Sequence, residues 1–332
     1  MPRPHKLVVT DFIHDALEPE RRILGDLANA VALNAFHEDD LVGRIEDADA
    51  IMLFHIVRLT RKTLERLEHC KLIVRCGVGI DNVDHHFARS RGIPVANVPD
   101  YGTEEVADTA IGMMLALTRG ISLPNSRLRD ALGPWMYSQA APVRRLRGRG
   151  FGVVGLGRIG TAAALRAKTL GMDVLFVDPY KPDGYDKSLG IRRVETLGEL
   201  LAQSFVVSLH CPLTDETRHL INERTIAEMA DGSYLVNTAR GGIVDAAAIP
   251  PALASGKLAG AAIDVLEGEP PDPDSPLIRA WRDPAHPAYH RLLVNPHAAF
   301  YCEEGLMDMR TKGAEACRRA ILGLPVRNVV NY

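Results

Sequence analysis

The chain has 332 residues, more than a single hydrophobic core usually supports, since such cores stop growing near ~250–300 residues; two domains are expected. Hydrophobic residues make up 46% and charged residues 24%, with a net charge of −3, so the balance is that of a globular chain and gives no support for nucleic-acid binding. The most apolar long stretch, 110–117, falls far short of the ~20 residues that span a bilayer, which argues against a membrane protein.

Taken in chain order, strand-like runs at 6–10, 49–54 and 71–75 alternate with helical stretches around 19–30 and 60–69. That alternation predicts a parallel sheet with crossover helices. The strand-like opening leaves no room for a signal peptide. The first portion ends near Val95–Tyr101, where Pro99 and Gly102 break any regular element. Thr103-Glu104-Glu105 then reads as a capping start to a helix running to about Arg119. After an irregular stretch at 126–149 the pattern resumes with a strand at Phe151, and further strands are expected at 173–177, 205–209, 234–237, 261–265 and 292–295. A final helix at 303–322 is expected to pack back onto the first portion. The predicted fold is α/β: two Rossmann-like or flavodoxin-like doubly wound domains with an active-site cleft between them. The predicted boundaries are 1–100 plus 301–332 for a discontinuous substrate domain and 101–300 for the dinucleotide domain.

Phe151 to Gly160 carries Gly155-x-Gly157-x-x-Gly160 between an apolar strand and an alanine-rich helical run. In that pattern the first glycine makes the turn, the second admits a pyrophosphate to the backbone, and the third lets helix and strand pack closely. The second strand ends in Asp178, about the expected ~20 residues on. Its carboxylate can accept from both ribose hydroxyls and would repel a 2′-phosphate, so NAD is favoured over NADP. The apolar run 72–76 also enters a glycine turn, Gly77-Val78-Gly79, but lacks the third glycine and the downstream acid. The amides of Val78 and Gly79 read instead as a carboxylate-binding turn.

Three short segments bring the reactive groups. They are Asn237-Thr238-Ala239-Arg240-Gly241-Gly242, then Asp264–Pro270 with Glu269, then Asn295-Pro296-His297-Ala298-Ala299-Phe300. Each is placed where the chain leaves a strand. An arginine can grip a carboxylate and an adjacent carbonyl through its planar fork. A histidine passes a proton near neutral pH, and a carboxylate bonded to it orients the ring. The set suits hydride addition to a 2-oxo acid, with the glycine loop holding the hydride carrier. Phe300 directly follows the histidine segment and is expected to reach the pocket wall, or else to pack the last helix.

These motifs resemble the D-2-hydroxyacid dehydrogenase family over essentially the whole chain. Segments 73–84, 175–180, 236–245 and 296–301 are most similar to its C-terminal-binding protein branch. The resemblance implies that Arg240, Glu269 and His297 are the catalytic set. It also implies NAD contacts from Val78, the Val154, Gly155, Leu156, Gly157, Arg158 and Ile159 loop, Asp178, the segment from Cys211 and Pro212 to Thr217, and Thr238, Ala239 and Asp264. A homodimer joined through the dinucleotide domains follows from the same likeness. Phe300 stands where that branch carries a tryptophan, and 271–291 is longer than usual. No regulatory domain follows residue 332, which weakens a phosphoglycerate dehydrogenase reading of the extended type.

Several residues have competing readings. Arg75 either steers an anionic substrate beside Val78 and Gly79 or pairs with an acid such as Asp81. His210 could be mistaken for the acid/base, but a packing or cofactor-edge role is preferred. Cys76 and Cys211 read as small buried hydrophobes. The run Arg144–Arg149 reads as a solvated or dimer-interface stretch. Five cysteines make no close pair of zinc-ligand type, so no metal is expected and a reducing cytoplasm fits. The reading is an NAD-dependent oxidoreductase interconverting a 2-oxo acid and a D-2-hydroxy acid. The alternative is an NAD(H)-sensing, peptide-recruiting corepressor.

Overall fold

The computed structural model describes residues 4–140 and 142–332. Two units emerge: residues up to Gly102 together with Tyr301–Tyr332, and Thr103–Phe300.

In the first unit five parallel strands, β1 His5–Val9, β2 Ala28–Ala32, β3 Ala50–Leu53, β4 Leu72–Arg75 and β5 Val95–Asn97, lie in the order β2-β1-β3-β4-β5. Helices cover both faces of such a sheet, so its inner strands are apolar without alternation; Leu7, Val8, Ile51, Met52, Ile73 and Val74 are all fully buried. The helix expected at 19–30 stops at Leu24, because Gly25 turns left-handed (φ 54°), and 28–32 form an edge strand instead. Ala-Asn-Ala-Val-Ala has no clear strand signature, and pairing with β1 decides its state. The helix expected at 60–69 is likewise one turn, Arg61–Leu64, capped by Thr60.

The helix Glu303–Ile321 is anchored to this unit by a buried cation. Arg310, 5% exposed, donates to both oxygens of Glu20, each at 2.7 Å, and to Asp15 at 2.6 and 2.9 Å. Glu20 is wholly buried, so each charge compensates the other's desolvation.

The sheet order reverses between β1 and β3, the point where such folds open a ligand crevice. Here the carboxylate of Asp11 fills it. Asp11 is wholly buried and accepts from the amides of Phe54, Ile56 and Val57 at 3.0, 2.7 and 3.2 Å. The chain's own anion thus sits on the amides that a phosphate would need.

The second unit has seven parallel strands: β6 Gly150–Val154, β7 Asp173–Val177, β8 Arg192–Arg193, β9 Val206–Leu209, β10 Ser233–Asn237, β11 Leu258–Ile263 and β12 Leu292–Val294. Their order, β12-β11-β10-β9-β6-β7-β8, is the doubly wound dinucleotide order with one strand added. The order reverses between β6 and β9, which puts the glycine turn after β6 at the switch point. The helix Ser122–Asp130 runs into the stretch expected to be irregular, 126–149. Its Ser-Leu-Pro-Asn-Ser run has poor helix propensity. A second helix, Pro276–Arg282, lies in the long segment before β12. Among the described residues no single helix is long and apolar enough to cross a membrane.

Candidate active site

The glycine turn can be read atom by atom. Gly155 has φ 89°, and a Cβ there would lie 2.7 Å from the Cys211 amide nitrogen. A Cβ on Gly160 would lie 2.1 Å from the Gly155 carbonyl oxygen, so helix and turn touch only because residue 160 lacks a side chain. Gly157 is different: nothing comes within 4 Å of its missing side chain. That open face lies at the N-terminus of the helix Arg158–Thr169, where unbonded amides and the helix dipole favour an anion.

Not every predicted contact is open. Leu156 is wholly buried in the core, and its amide is already bonded to Asp178 Oδ2 at 2.8 Å. Side chain and amide of Leu156 are therefore both engaged within the unit. The other Asp178 oxygen accepts from the Tyr180 amide at 3.0 Å. Each carboxylate oxygen has a second lone pair, so the two bonds aim the group without exhausting it. Val154 is also core, 5% exposed. Thr217 spends its hydroxyl on its own loop, donating to the Pro212 carbonyl at 2.6 Å and accepting from the Thr214 amide at 2.8 Å. Thr238 shows the opposite pattern. Its Oγ1 is buried with no hydrogen-bond partner among the described residues, a vacancy that needs a reason.

The reactive residues stand on neighbouring strand ends. β10 pairs with β11, and β11 with β12; Arg240, Glu269 and His297 follow these three strands in turn. Asn237, wholly buried, folds the turn after β10 by accepting from the Ala239 amide at 3.0 Å and donating to the Arg240 carbonyl at 2.9 Å. Gly241 then allows a close approach, since a Cβ on it would lie 1.9 Å from the Leu266 carbonyl carbon. The Arg240 turn and the loop carrying Glu269 are thereby in backbone contact.

His297 Nδ1 and Glu269 Oε2 are 2.7 Å apart. An ionised carboxylate only accepts, so Nδ1 carries the hydrogen, which makes Nε2 the ring nitrogen able to exchange a proton. The other Glu269 oxygen accepts from the Leu266 amide at 2.8 Å, which fixes the carboxylate. His297 itself has φ 52°, a costly conformation for a residue with a side chain and one that clusters at functional sites.

Asp264 holds that conformation. It is 2% exposed, and its carboxylate accepts from Asn295 Nδ2 at 2.6 Å and from the amides of Ala298 and Ala299 at 2.9 and 3.1 Å. Its carbonyl accepts from the His297 amide at 2.7 Å. Asp264 thus braces the histidine turn. The Phe300 ring stands edge-on to His297, with centroids 6.1 Å apart at 84°. Asn237, Asn295 and Gly241 had not been singled out. Asparagine at a strand end before a turn is the available signal, because its side chain mimics a backbone group.

His210 Nε2 is 2.9 Å from Ser208 Oγ, and burial pushes its pKa down to about 4. A ring neutral at working pH is unsuited to act as a cationic proton donor. Burial raises the Cys211 thiol to about 11 and the Cys76 thiol further, so both stay protonated. In the first unit, Arg75 is 8% exposed and folds back over Gly77, with Nη1 on the Cys76 carbonyl at 3.3 Å. The Val78 and Gly79 amides have no acceptor among the described residues, as an anion-binding turn requires.

The switch-point glycine turn and the aimed carboxylate after β7 define a dinucleotide-binding unit. Residues 111–299, more than half of the chain, match the NAD binding domain of the D-isomer specific 2-hydroxyacid dehydrogenases; the chain belongs to this family, and Thr103–Phe300 is its NAD-binding unit. The chain is 35% identical over 326 residues to a D-3-phosphoglycerate dehydrogenase of Methanocaldococcus jannaschii, with 98% of this chain covered but 59% of the relative. The chain thus spans somewhat over half the length of that relative. Two solved structures are similar throughout. A D-lactate dehydrogenase from Aquifex aeolicus, complexed with NAD and lactic acid, has a TM-score of 0.85 at 28% identity and covers 96% of each chain. A glyoxylate reductase from Paecilomyes thermophila has a TM-score of 0.86 at 28% identity and covers 99% of each chain.

Proposed function

We propose that this protein is an NAD-dependent D-2-hydroxyacid dehydrogenase, reducing a 2-oxo acid to the D-2-hydroxy acid and catalysing the reverse. The observation that carries this is the 2.7 Å Glu269–His297 pair, set beside the Arg240 turn on the NAD-binding unit.

The residues fit the cofactor. The open face at Gly157, the helix amides of Arg158 and Ile159 and the aimed Asp178 carboxylate would hold the diphosphate and the ribose. Gly155 and Gly160 shape that cradle. The orphaned Thr238 hydroxyl would gain a partner, and Ala239 and the Cys211–Pro212 backbone would flank the ring, with His210 packed behind. Bound NADH supplies the hydride for C2 of the substrate. Arg240 grips the substrate carboxylate and stabilises the charge that develops on the carbonyl oxygen. His297 donates from Nε2 to that oxygen, and Glu269 holds the ring in the required tautomer. Phe300 borders the side-chain pocket.

The named relatives act on three-carbon and two-carbon acids, one of them phosphorylated, so substrate size and charge are the open variables. The test is NADH consumption with glyoxylate, pyruvate, a phosphorylated three-carbon 2-oxo acid and 2-oxo acids with larger apolar side chains. Activity with none of them would refute the proposal. A cytoplasmic homodimer is the proposed setting. Exposed Leu132, Trp135, Met136 and Tyr137 on the NAD-binding unit support an interface there, since such patches mark association surfaces.

A further inference from the structure

Arg218, His219 and Glu267 form a second charged cluster that the proposed reaction does not use. Arg218 Nη1 donates to Glu267 Oε1, and His219 Nε2 lies 3.0 Å from Glu267 Oε2. The pairing holds the Glu267 carboxyl below its usual range, with His219 the larger cause and Arg218 the lesser. All three side chains are about half exposed, so their attraction alone stabilises little.

Their place in the chain gives them weight. The His219 amide donates to the Gly242 carbonyl at 2.8 Å, and the Ile221 amide to the Ile243 carbonyl at 3.0 Å. Segment 219–221 therefore runs along one side of the turn that follows Arg240. On the other side, a Cβ at Gly241 would lie 2.3 Å from the Glu267 amide nitrogen. The Glu267 side chain then reaches round to Arg218 and His219. A closed ring results: Glu267 carboxylate, His219 ring, His219 backbone, Gly242, Gly241 and back to the Glu267 backbone. Its neighbour Leu266 supplies the amide that fixes Glu269. His219 has φ 48°, so the ring holds a strained residue that local sequence does not favour.

We propose that Glu267 is a positioning residue that closes a clamp around the Arg240 turn, holding Arg240 and Glu269 in fixed relation. This rests on the reductase reading. The test compares Glu267→Ala, Glu267→Gln and the wild type in steady-state reduction of the best 2-oxo acid, with NADH affinity and melting temperature measured alongside. Hydrogen exchange of the peptide containing the Leu266 amide is followed in the same proteins. Glu267→Ala should raise KM for the 2-oxo acid about tenfold and lower kcat, as displacement of positioned groups does. NADH affinity should stay near wild type, and Leu266 exchange should quicken. Glu267→Gln, which keeps one acceptor oxygen, should recover part of the loss. Wild-type kcat and KM in Glu267→Ala, or a fall in melting temperature alone, would overturn the clamp. A wild type inactive on every 2-oxo acid would instead refute the reductase reading, and unchanged Leu266 exchange would then independently refute the clamp.

Discussion

Replacing Gly241 by alanine adds one methyl group at the contact between the Arg240 turn and the Glu269 loop. The new carbon would lie 1.9 Å from the Leu266 carbonyl carbon, whereas ordinary contact begins at 3.4 Å, so one backbone must retreat by about 1.5 Å. The obstacle is main chain on both sides and cannot rotate away. Because the Leu266 amide fixes Glu269 at 2.8 Å, the retreat carries the carboxylate and then the His297 ring away from Arg240. A misplacement of about 1 Å in a reacting constellation can cost roughly 10²-fold, equivalent to about 2.7 kcal/mol of transition-state stabilisation. Gly241→Ala should therefore lower kcat/KM at least that far, measured by NADH consumption at subsaturating 2-oxo acid. The switch-point turn lies on a different strand end, but Thr238 and Ala239 share the displaced turn, so NADH binding, followed by fluorescence titration, should weaken less than kcat/KM falls. A folded Gly241→Ala enzyme within threefold of wild type would refute the geometry argued for this site.

His297→Ala should lower kcat by about 10²–10⁴-fold, the range for a lost general acid, in the same assay. Asp178→Ala should weaken NADH binding and narrow the preference over NADPH, as the ratio of kcat/KM values would show. Arg310→Met would leave Glu20 buried without its cation; breaking such a pair costs about 3–5 kcal/mol, read as a melting temperature lower by roughly 10 °C. His210 supplies a pH test, because its folded pKa of about 4 lies below the ordinary value near 6.5. The unfolded chain binds the extra proton, so this contribution to stability is complete above pH ~6.5 and is lost as pH falls from there toward 4. Denaturation midpoints at pH 7 and pH 5 should differ less in His210→Gln than in the wild type. Phe300→Ala should change the ranking of 2-oxo acids by side-chain size, since its ring meets His297; an unchanged ranking would remove it from the pocket.

Both parallel sheets were legible because buried strands such as 72–75 and 233–237 are short apolar runs closed by turn residues. The glycine turn was legible because each of its glycines answers a separate steric demand. What escaped the sequence was set by tertiary pairing. The edge strand 28–32 is decided by its neighbour, and the helix 122–130 forms despite weak propensity. The positions of Arg240, Glu269 and His297 were readable from residue type and spacing. Their bracing was not, because Asp264 and Asn237 act through backbone groups whose partners are fixed only once β10, β11 and β12 lie side by side. The fold of the Arg75 guanidinium back over Gly77 was hidden for a related reason, since nothing local shows it.

The central claim is hydride transfer from NADH to C2 of a 2-oxo acid, with Arg240, Glu269 and His297 as the machinery. The most direct measurement uses NADH carrying deuterium at both C4 positions, with the product examined by mass spectrometry and chiral separation. One deuterium at C2 of a D-2-hydroxy acid is predicted, with the labelling rate reduced at least about 10²-fold in His297→Ala. Product without the label, product of the opposite hand, or labelling at the wild-type rate in His297→Ala would contradict the account.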